Sequence, residues 1–210
     1  MKKFGIGCGV LALLGVIGLI IVIVVALLAG GGYNRMVALS QRVNSSWAQV
    51  QNVYQRRADL IPNLVATVSG SANFEKSTLT EITAARASVG QVKIDPNSSP
   101  TDPAKLAQFE QAQGALSSAL SRLLVVSERY PDLKASAGFR DLQAQLEGTE
   151  NRISVERGNF NQAVQDYNTA IKSFPTVFFA GRFGFTEKPY FTATTGADKP
   201  PQVQFDFNKK

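Results

Sequence analysis

The chain has 210 residues and no histidine. That excludes Ser-His-Asp triads, histidine metal sites and a histidine proton shuttle. There is one cysteine, Cys8, so no internal disulfide can form and nothing beyond it can hold zinc through thiolates. An ion site would have to rest on carboxylates or carbonyls. Ferritin-like bundles hold two irons with a Glu-x-x-His motif on each of two helices, and without histidine that constellation fails. Basic residues are in modest excess, 22 Lys and Arg against 16 Asp and Glu, for a net charge of +6. They are scattered among acidic residues and not gathered on one face beside aromatics, so nucleic acid is not an expected partner. No cofactor and no catalytic set is expected either.

Charge is missing altogether from Phe4 to Gly32. Within that stretch Val10 to Ala29 is a run of twenty residues, carried by Val10, Leu14, Ile17, Ile21, Val24 and Leu28 among others. At about 1.5 Å per residue it makes ~30 Å of helix, the thickness of a bilayer's hydrocarbon core. Backbone in lipid must satisfy its own hydrogen bonds, so the run is expected to be a membrane-spanning helix with the bilayer as its first partner. A cleaved signal peptide is the first rival, but its apolar region is shorter, and here Leu occupies most candidate −3 positions. A lipoprotein signal is the second, but its apolar run would precede the cysteine, whereas this one follows Cys8. Palmitoylation of Cys8 fits by position, a free thiol more simply. Gly5-x-x-x-Gly9, with Ala12, Gly15 and Gly18, offers a surface on which helices approach closely in lipid, and a homo-oligomer is expected. Lys2 and Lys3 on one side against Arg35 and Arg42 on the other give a narrow bias for an inside N-terminus and an outside domain.

Gly30-Gly31-Gly32 is either a flexible joint or a weak point in a continuous helix. Beyond it Met36, Leu39, Val43, Trp47, Val50 and Tyr54 keep helical spacing, and Arg56-Arg57 suits a helix C-terminus. Asp59-Leu-Ile-Pro62 reads as a cap and first turn, which starts a second helix near residue 60, with the stripe Ile61, Leu64, Val65, Val68, Leu79, Ile82 and a stop at Gly90. Gln91 to Thr101 has loop composition. Asp102-Pro103 restarts a helix that carries Leu106, Phe109, Gln113, Leu116, Leu120, Leu123 and Ser127. After Tyr130-Pro131-Asp132 the last helix runs from Phe139 to Phe174, with Thr149 and Glu156 interrupting an otherwise largely apolar stripe. The expected fold is all-α: an anchor and Gly hinge over 1–32, then an antiparallel long-helix bundle over 33–174 with helices near 34–57, 60–90, 102–129 and 136–174. A tail over 175–210 completes it. From Phe174 onward the chain holds nine of its nineteen aromatics. Disordered segments are poor in aromatics, so the tail is expected to pack, on its own bundle by default, with a partner subunit or the membrane surface as alternatives. Val203, Phe205 and Phe207 alternate like a short strand.

These residues resemble the LemA family of bacterial membrane proteins. The resemblance rests on Tyr33-Asn34-x-x-Val37, Val43-x-x-x-Trp47-Ala48 and Arg56-Arg57-x-Asp59-Leu60-Ile61-Pro62-Asn63-Leu64-Val65. It continues through Glu75, Ala85-Arg86, Tyr130-Pro131-x-Leu133, Glu150-Asn151-x-Ile153 and Arg157. Asn161-x-x-Val164, Tyr167-Asn168-x-x-Ile171 and Phe174-Pro175 complete it. Phe160 stands where the family commonly has Tyr, a change that keeps the ring and drops a hydroxyl. The resemblance implies an antiparallel bundle tethered by one N-terminal helix in the bacterial cytoplasmic membrane, with the soluble part in the cytoplasm. The charge count points the other way, and the cytoplasmic side is the expectation retained.

Three groups of polar residues stand out. Arg56, Arg57 and Asp59 sit at the expected helix junction, where an anion or lipid-headgroup site is conceivable; a capped turn with a local Arg–Asp pair is the simpler reading. Glu156 lies on the last helix's stripe, and Arg152 four residues earlier can pair with it structurally. Asn151, Asn161 and Asn168 are read as fixing helix register. The expected function is therefore a membrane-anchored scaffold or interaction protein, self-associating and without catalysis, whose partner is an unidentified membrane or membrane-adjacent protein. A membrane-tethered sensor is the alternative, and a carboxylate-based enzyme or ion binder the remoter one.

Overall fold

The computed structural model describes residues 3–70, 74–92, 95 and 98–192, without the side chains of 3–12, 25 and 28. Among the described residues the fold is all-helical. Helix α1 spans Lys3–Ser69, α2 Lys76–Gln91, α3 Pro103–Ser127, α4 Pro131–Ala135, α5 Ala137–Lys172 and α6 Val177–Ala180, followed by a 3-10 turn at Gly181–Phe183. The second half of α1 packs with α2, α3 and α5 as an antiparallel bundle. Arg42 pairs with Asp166 near one end and Arg57 with Glu150 further along, so α1 and α5 run in opposite directions.

The main departure from expectation is α1, which is one helix of 67 residues. It passes through Gly30-Gly31-Gly32 without a joint, and through Pro62 without the break expected near residue 60. The proline explains how. Its ring nitrogen has no hydrogen to give the carbonyl of Ala58, four residues back, and an interior proline costs a helix ~3 kcal/mol. Here Arg86 of α2 reaches across and its Nε donates to Ala58 O at 3.1 Å. The orphaned acceptor is satisfied from a neighbouring helix, and α1 continues for two more turns to Ser69. The Asp59 side chain, read as a cap, instead lies exposed on α1 and accepts from Gln55 Nε2 at 2.7 Å.

The first part of α1 is long and apolar enough to cross a membrane, and none of its most apolar stretch is buried. Leu14, Ile17, Ile21 and Val24 are all exposed. The side chains of Val10 and Leu28, and of Gly5 and Gly9 with the contact read from them, lie outside the described residues, as do Val203, Phe205 and Phe207.

Elsewhere the stripes locate the core. All seven positions named on α3 are buried, and α3 starts as expected, with Pro103 in the first turn and Asp102 Oδ1 accepting from Ala104 N at 2.8 Å. Ser136 caps α5, its Oγ accepting from Phe139 N at 3.3 Å. The core is divided. One apolar cluster gathers Met36, Val43, Trp47, Val50, Tyr54, Phe109 and Phe160 at the end where α1 leaves the bundle. The other gathers Ile61, Leu64, Val68, Ile82, Leu116, Leu123 and Phe139 at the far end. A polar layer separates them.

Candidate functional site

That layer is built on Arg57, 99% removed from solvent by the same spacing that places Tyr54 and Ile61 in the core. Both terminal nitrogens of the guanidinium are engaged. Nη1 donates to Ser117 Oγ and Glu150 Oε2, both at 2.8 Å, and Nη2 donates to the Gln113 carbonyl at 3.3 Å and to its side-chain oxygen. The group lies 5.1 Å over the Tyr54 ring. Its Nε, also buried, has no hydrogen-bond partner among the described residues. Removing a charge from water is costly unless it is paired and hydrogen-bonded, and this arrangement supplies four acceptors and an aromatic face. Thr149, 3% exposed, completes the layer with its hydroxyl turned back onto the carbonyl of Leu146.

A cleft of about 560 Å³ opens beside this layer between α1, α3 and α5, bounded by Tyr54, Arg57, Glu110, Gln113, Glu150 and Arg157 among others. Its charges are balanced within the chain: Arg57 pairs with Glu150, and Arg157 with Glu110 at 2.7 Å. Burial raises the hydroxyl pKa of Tyr54 on its wall above the ordinary tyrosine value, against the opposing pull of Arg157 and Arg57. Each carboxylate is thus held by a guanidinium and the phenol is held neutral. A cleft of this make-up is suited to holding helices in register and to polar contacts. Among the described residues no group of His, Cys, Asp and Glu is placed to hold a metal ion.

The chain after α5 closes over one edge of the cleft. It turns back through α6 and then runs extended along α5. The Asn168 amide grips the Lys188 backbone twice, accepting from its N–H at 3.0 Å and donating to its carbonyl at 2.9 Å. Asn161 does the same to Phe191, at 2.8 and 3.0 Å. The spacing follows from geometry. Seven helical residues rise ~10.5 Å and three extended residues ~10 Å, so two asparagines a heptad apart meet backbone groups three residues apart. Tyr167 donates to the Thr186 carbonyl at 3.0 Å, while Arg157 donates to the Thr192 carbonyl and Glu110 accepts from the Thr192 N–H. Phe191 enters the core, stacked on Trp47 with ring centroids 6.0 Å apart and edge-on to Phe160 at 5.3 Å. Lys188 is carried inside with it, 8% exposed, its Nζ donating to Ser99 Oγ at 2.6 Å and Asn44 Oδ1 at 3.3 Å. Burial lowers its pKa.

Of the residues singled out from sequence, Arg57 is central while Arg56 and Asp59 are exposed and not joined to it. Arg152 is exposed and forms no ion pair with Glu156 among the described residues. Glu156 is half-buried and accepts from Asn159 Nδ2 at 3.1 Å. The reason is packing: the α5 stripe buries Ile153 and Phe160 and leaves residue 156 at its margin. Asn161 and Asn168 hold the extended segment 186–192, the strap, in register against α5 and do not set helix against helix, and Asn151 is exposed. Gln113, Ser117, Glu110 and Lys188 were not singled out as site residues. The signal available for Gln113 was its place in an apolar stripe, where a polar residue is retained only with a buried partner.

Magnetosome protein MamQ 2 of Paramagnetospirillum magneticum is 27% identical over 183 residues, covering 80% of this chain and 67% of that one. Protein LemA of Metamycoplasma hominis is 25% identical over 165 residues, covering 78% of this chain and 70% of that one. Magnetosome protein MamQ of Magnetospirillum gryphiswaldense is 32% identical over 95 residues, 44% of this chain, and the match spans 35% of its own length. The LemA family model matches residues 46–205, which takes in Arg57, the cleft and the strap, and the chain belongs to the LemA family.

Proposed function

We propose that the protein is a membrane-anchored, non-catalytic scaffold that holds a four-helix bundle at a fixed position beside the bacterial cytoplasmic membrane and assembles with copies of itself. The observation that carries this reading is the continuity of α1. One uninterrupted helix supplies both the apolar span and a full side of the bundle core, from Met36 to Val68. A bundle hung on a flexible linker samples orientations, whereas one sharing a helix with its anchor is held in one, as a scaffold requires. The charge-balanced cleft supports the absence of catalysis, since it offers neither an unpaired carboxylate base nor an activated nucleophile. Self-association is supported by Gly15 and Gly18 on the exposed first part of α1, small residues that would let a second helix approach closely in lipid. We assign the soluble part to the cytoplasmic side, on the strength of the family resemblance alone.

The test is cross-linking in native membranes with a photoreactive residue at Leu19, which is 61% exposed on the span, and another at Val155, 60% exposed on the bundle. A ladder of homo-oligomers from either position, together with captured membrane or membrane-adjacent proteins, is expected. Recovery of monomer alone from both positions overturns the reading.

A further inference from the structure

The end of the bundle nearest the span exposes an apolar surface of large side chains. Phe174 is 81% exposed, Phe178 67%, Val177 48% and Phe183 48%. Phe174 and Phe178 pack edge to face with centroids 5.9 Å apart, so they form one patch. Soluble surfaces avoid gathering large apolar groups in this way.

The position of the patch says what covers it. A Cβ on Gly32 would stand 3.8 Å from Thr176, and the Tyr33 ring meets Phe183 at 5.2 Å and Phe185 at 5.7 Å. The turn from Phe174 to Phe183 is therefore seated against α1 at residues 32–33. The apolar run ends at Ala29, and four further residues of helix rise ~6 Å, which is still within the headgroup layer flanking a ~30 Å hydrocarbon core. Aromatic side chains concentrate in that layer, with an apolar body toward the acyl chains. The charge pattern agrees. From Ser173 to Thr186 the only charged residue is Arg182, which is exposed, as is Arg35 on α1. Basic side chains at this depth meet lipid phosphates.

We infer that α6 and the following 3-10 turn form a second membrane contact, with Phe174, Phe178 and Phe183 inserted into the interfacial layer of the leaflet from which α1 emerges and Arg182 at its phosphates. The contact rests on the reading of α1 as a transmembrane span. It gives the anchor a foot, so that the bundle is braced against tilting and rotating about a single helix.

The test uses the full chain with Cys8→Ser and single cysteines carrying an environment-sensitive fluorophore at Ile20, Phe178, Phe183 or Glu147. The protein is reconstituted in phosphatidylethanolamine/phosphatidylglycerol vesicles with or without lipids spin-labelled near the headgroup or deep in the acyl chain. Positions 178 and 183 are expected to show blue-shifted emission quenched best by the shallow label, Ile20 to be quenched best by the deep label, and Glu147 to show neither effect. Unquenched, red emission at 178 and 183 overturns the inference. Blue-shifted emission without lipid quenching also overturns it and assigns the patch to a protein partner, a second copy or residues 193–210. If Ile20 also escapes quenching, the span itself has failed; if Ile20 is quenched and 178 is not, only the second contact has. Phe174→Cys serves as a repeat, since so exposed a side chain contributes nothing to the core.

Discussion

The hydrogen bond from Arg86 to Ala58 should matter only because residue 62 is proline. In Arg86→Ala the Ala58 carbonyl loses the donor that replaces the missing helical one among the described residues. A hydrogen bond from a charged donor is worth ~2 kcal/mol when shielded, and Arg86 is exposed, so the expected loss is about 1 kcal/mol. For a domain of this size that lowers Tm by about 3 °C. In Pro62→Ala the peptide N–H returns and the Ala58 carbonyl closes its own helical ring, so adding Arg86→Ala should then cost about a third as much or less. Pro62→Ala alone should raise Tm, because the interior-proline penalty outweighs the unfolded-state rigidity that is lost. The assay is thermal unfolding of the four proteins in detergent micelles, followed by helix circular dichroism. Equal losses from Arg86→Ala in both backgrounds would refute the account of how α1 passes its proline.

Arg57→Ala should destabilise the bundle by about 3 kcal/mol in urea unfolding, toward the low end for a buried pair because Glu150 is half in water and can rehydrate. The joint change Arg57→Met with Gln113→Leu should recover most of that loss by replacing the polar layer with apolar volume. Asn161→Ala with Asn168→Ala removes four hydrogen bonds at about 1 kcal/mol each and should free the strap. Trp47 is the only tryptophan and stacks on Phe191, so its emission should shift to the red while helix content holds; an unchanged spectrum would count against the strap. Lys188 has a folded pKa below its unfolded value, so the unfolded state binds the extra proton and stability should rise with pH from the lowered value up to the ordinary lysine value. Tyr54 and Tyr167 have raised values, so above pH ~10 the sign reverses as the unfolded tyrosines ionise first. Lys188→Met should abolish the rise and keep the fall, read from urea midpoints across that range.

Local periodicity determined much of this protein. The absence of histidine was legible from composition, and the uncharged run, the 3/4 stripes of α3 and α5 and the Asp102-Pro103 start were legible along the chain, because each of these depends on residues within a few turns of one another. Arg57 was legible only as a candidate. Its neighbours Gln113, Ser117 and Glu150 come from two other helices, and no spacing within one segment announces a partner 60 or 93 residues away. Pro62 was misread for the same reason. The rule that proline ends a helix is local, and the donor that suspends it comes from α2. Asn161 and Asn168 showed their heptad spacing, but a heptad serves a helix or an extended chain equally well, and only the folded tail decided between them. The tail's aromatics announced packing, on the chain's own bundle by default, without saying which of them would enter the core. The tertiary structure sent Phe191 into the core and left Phe174 and Phe178 outside, because the two grips on Lys188 and Phe191 fix one stretch of chain and α6 is held against Gly32 instead. Sequence determined where helices form and which faces are apolar. Which polar groups meet, and which apolar groups stay uncovered, was decided only when distant segments came together.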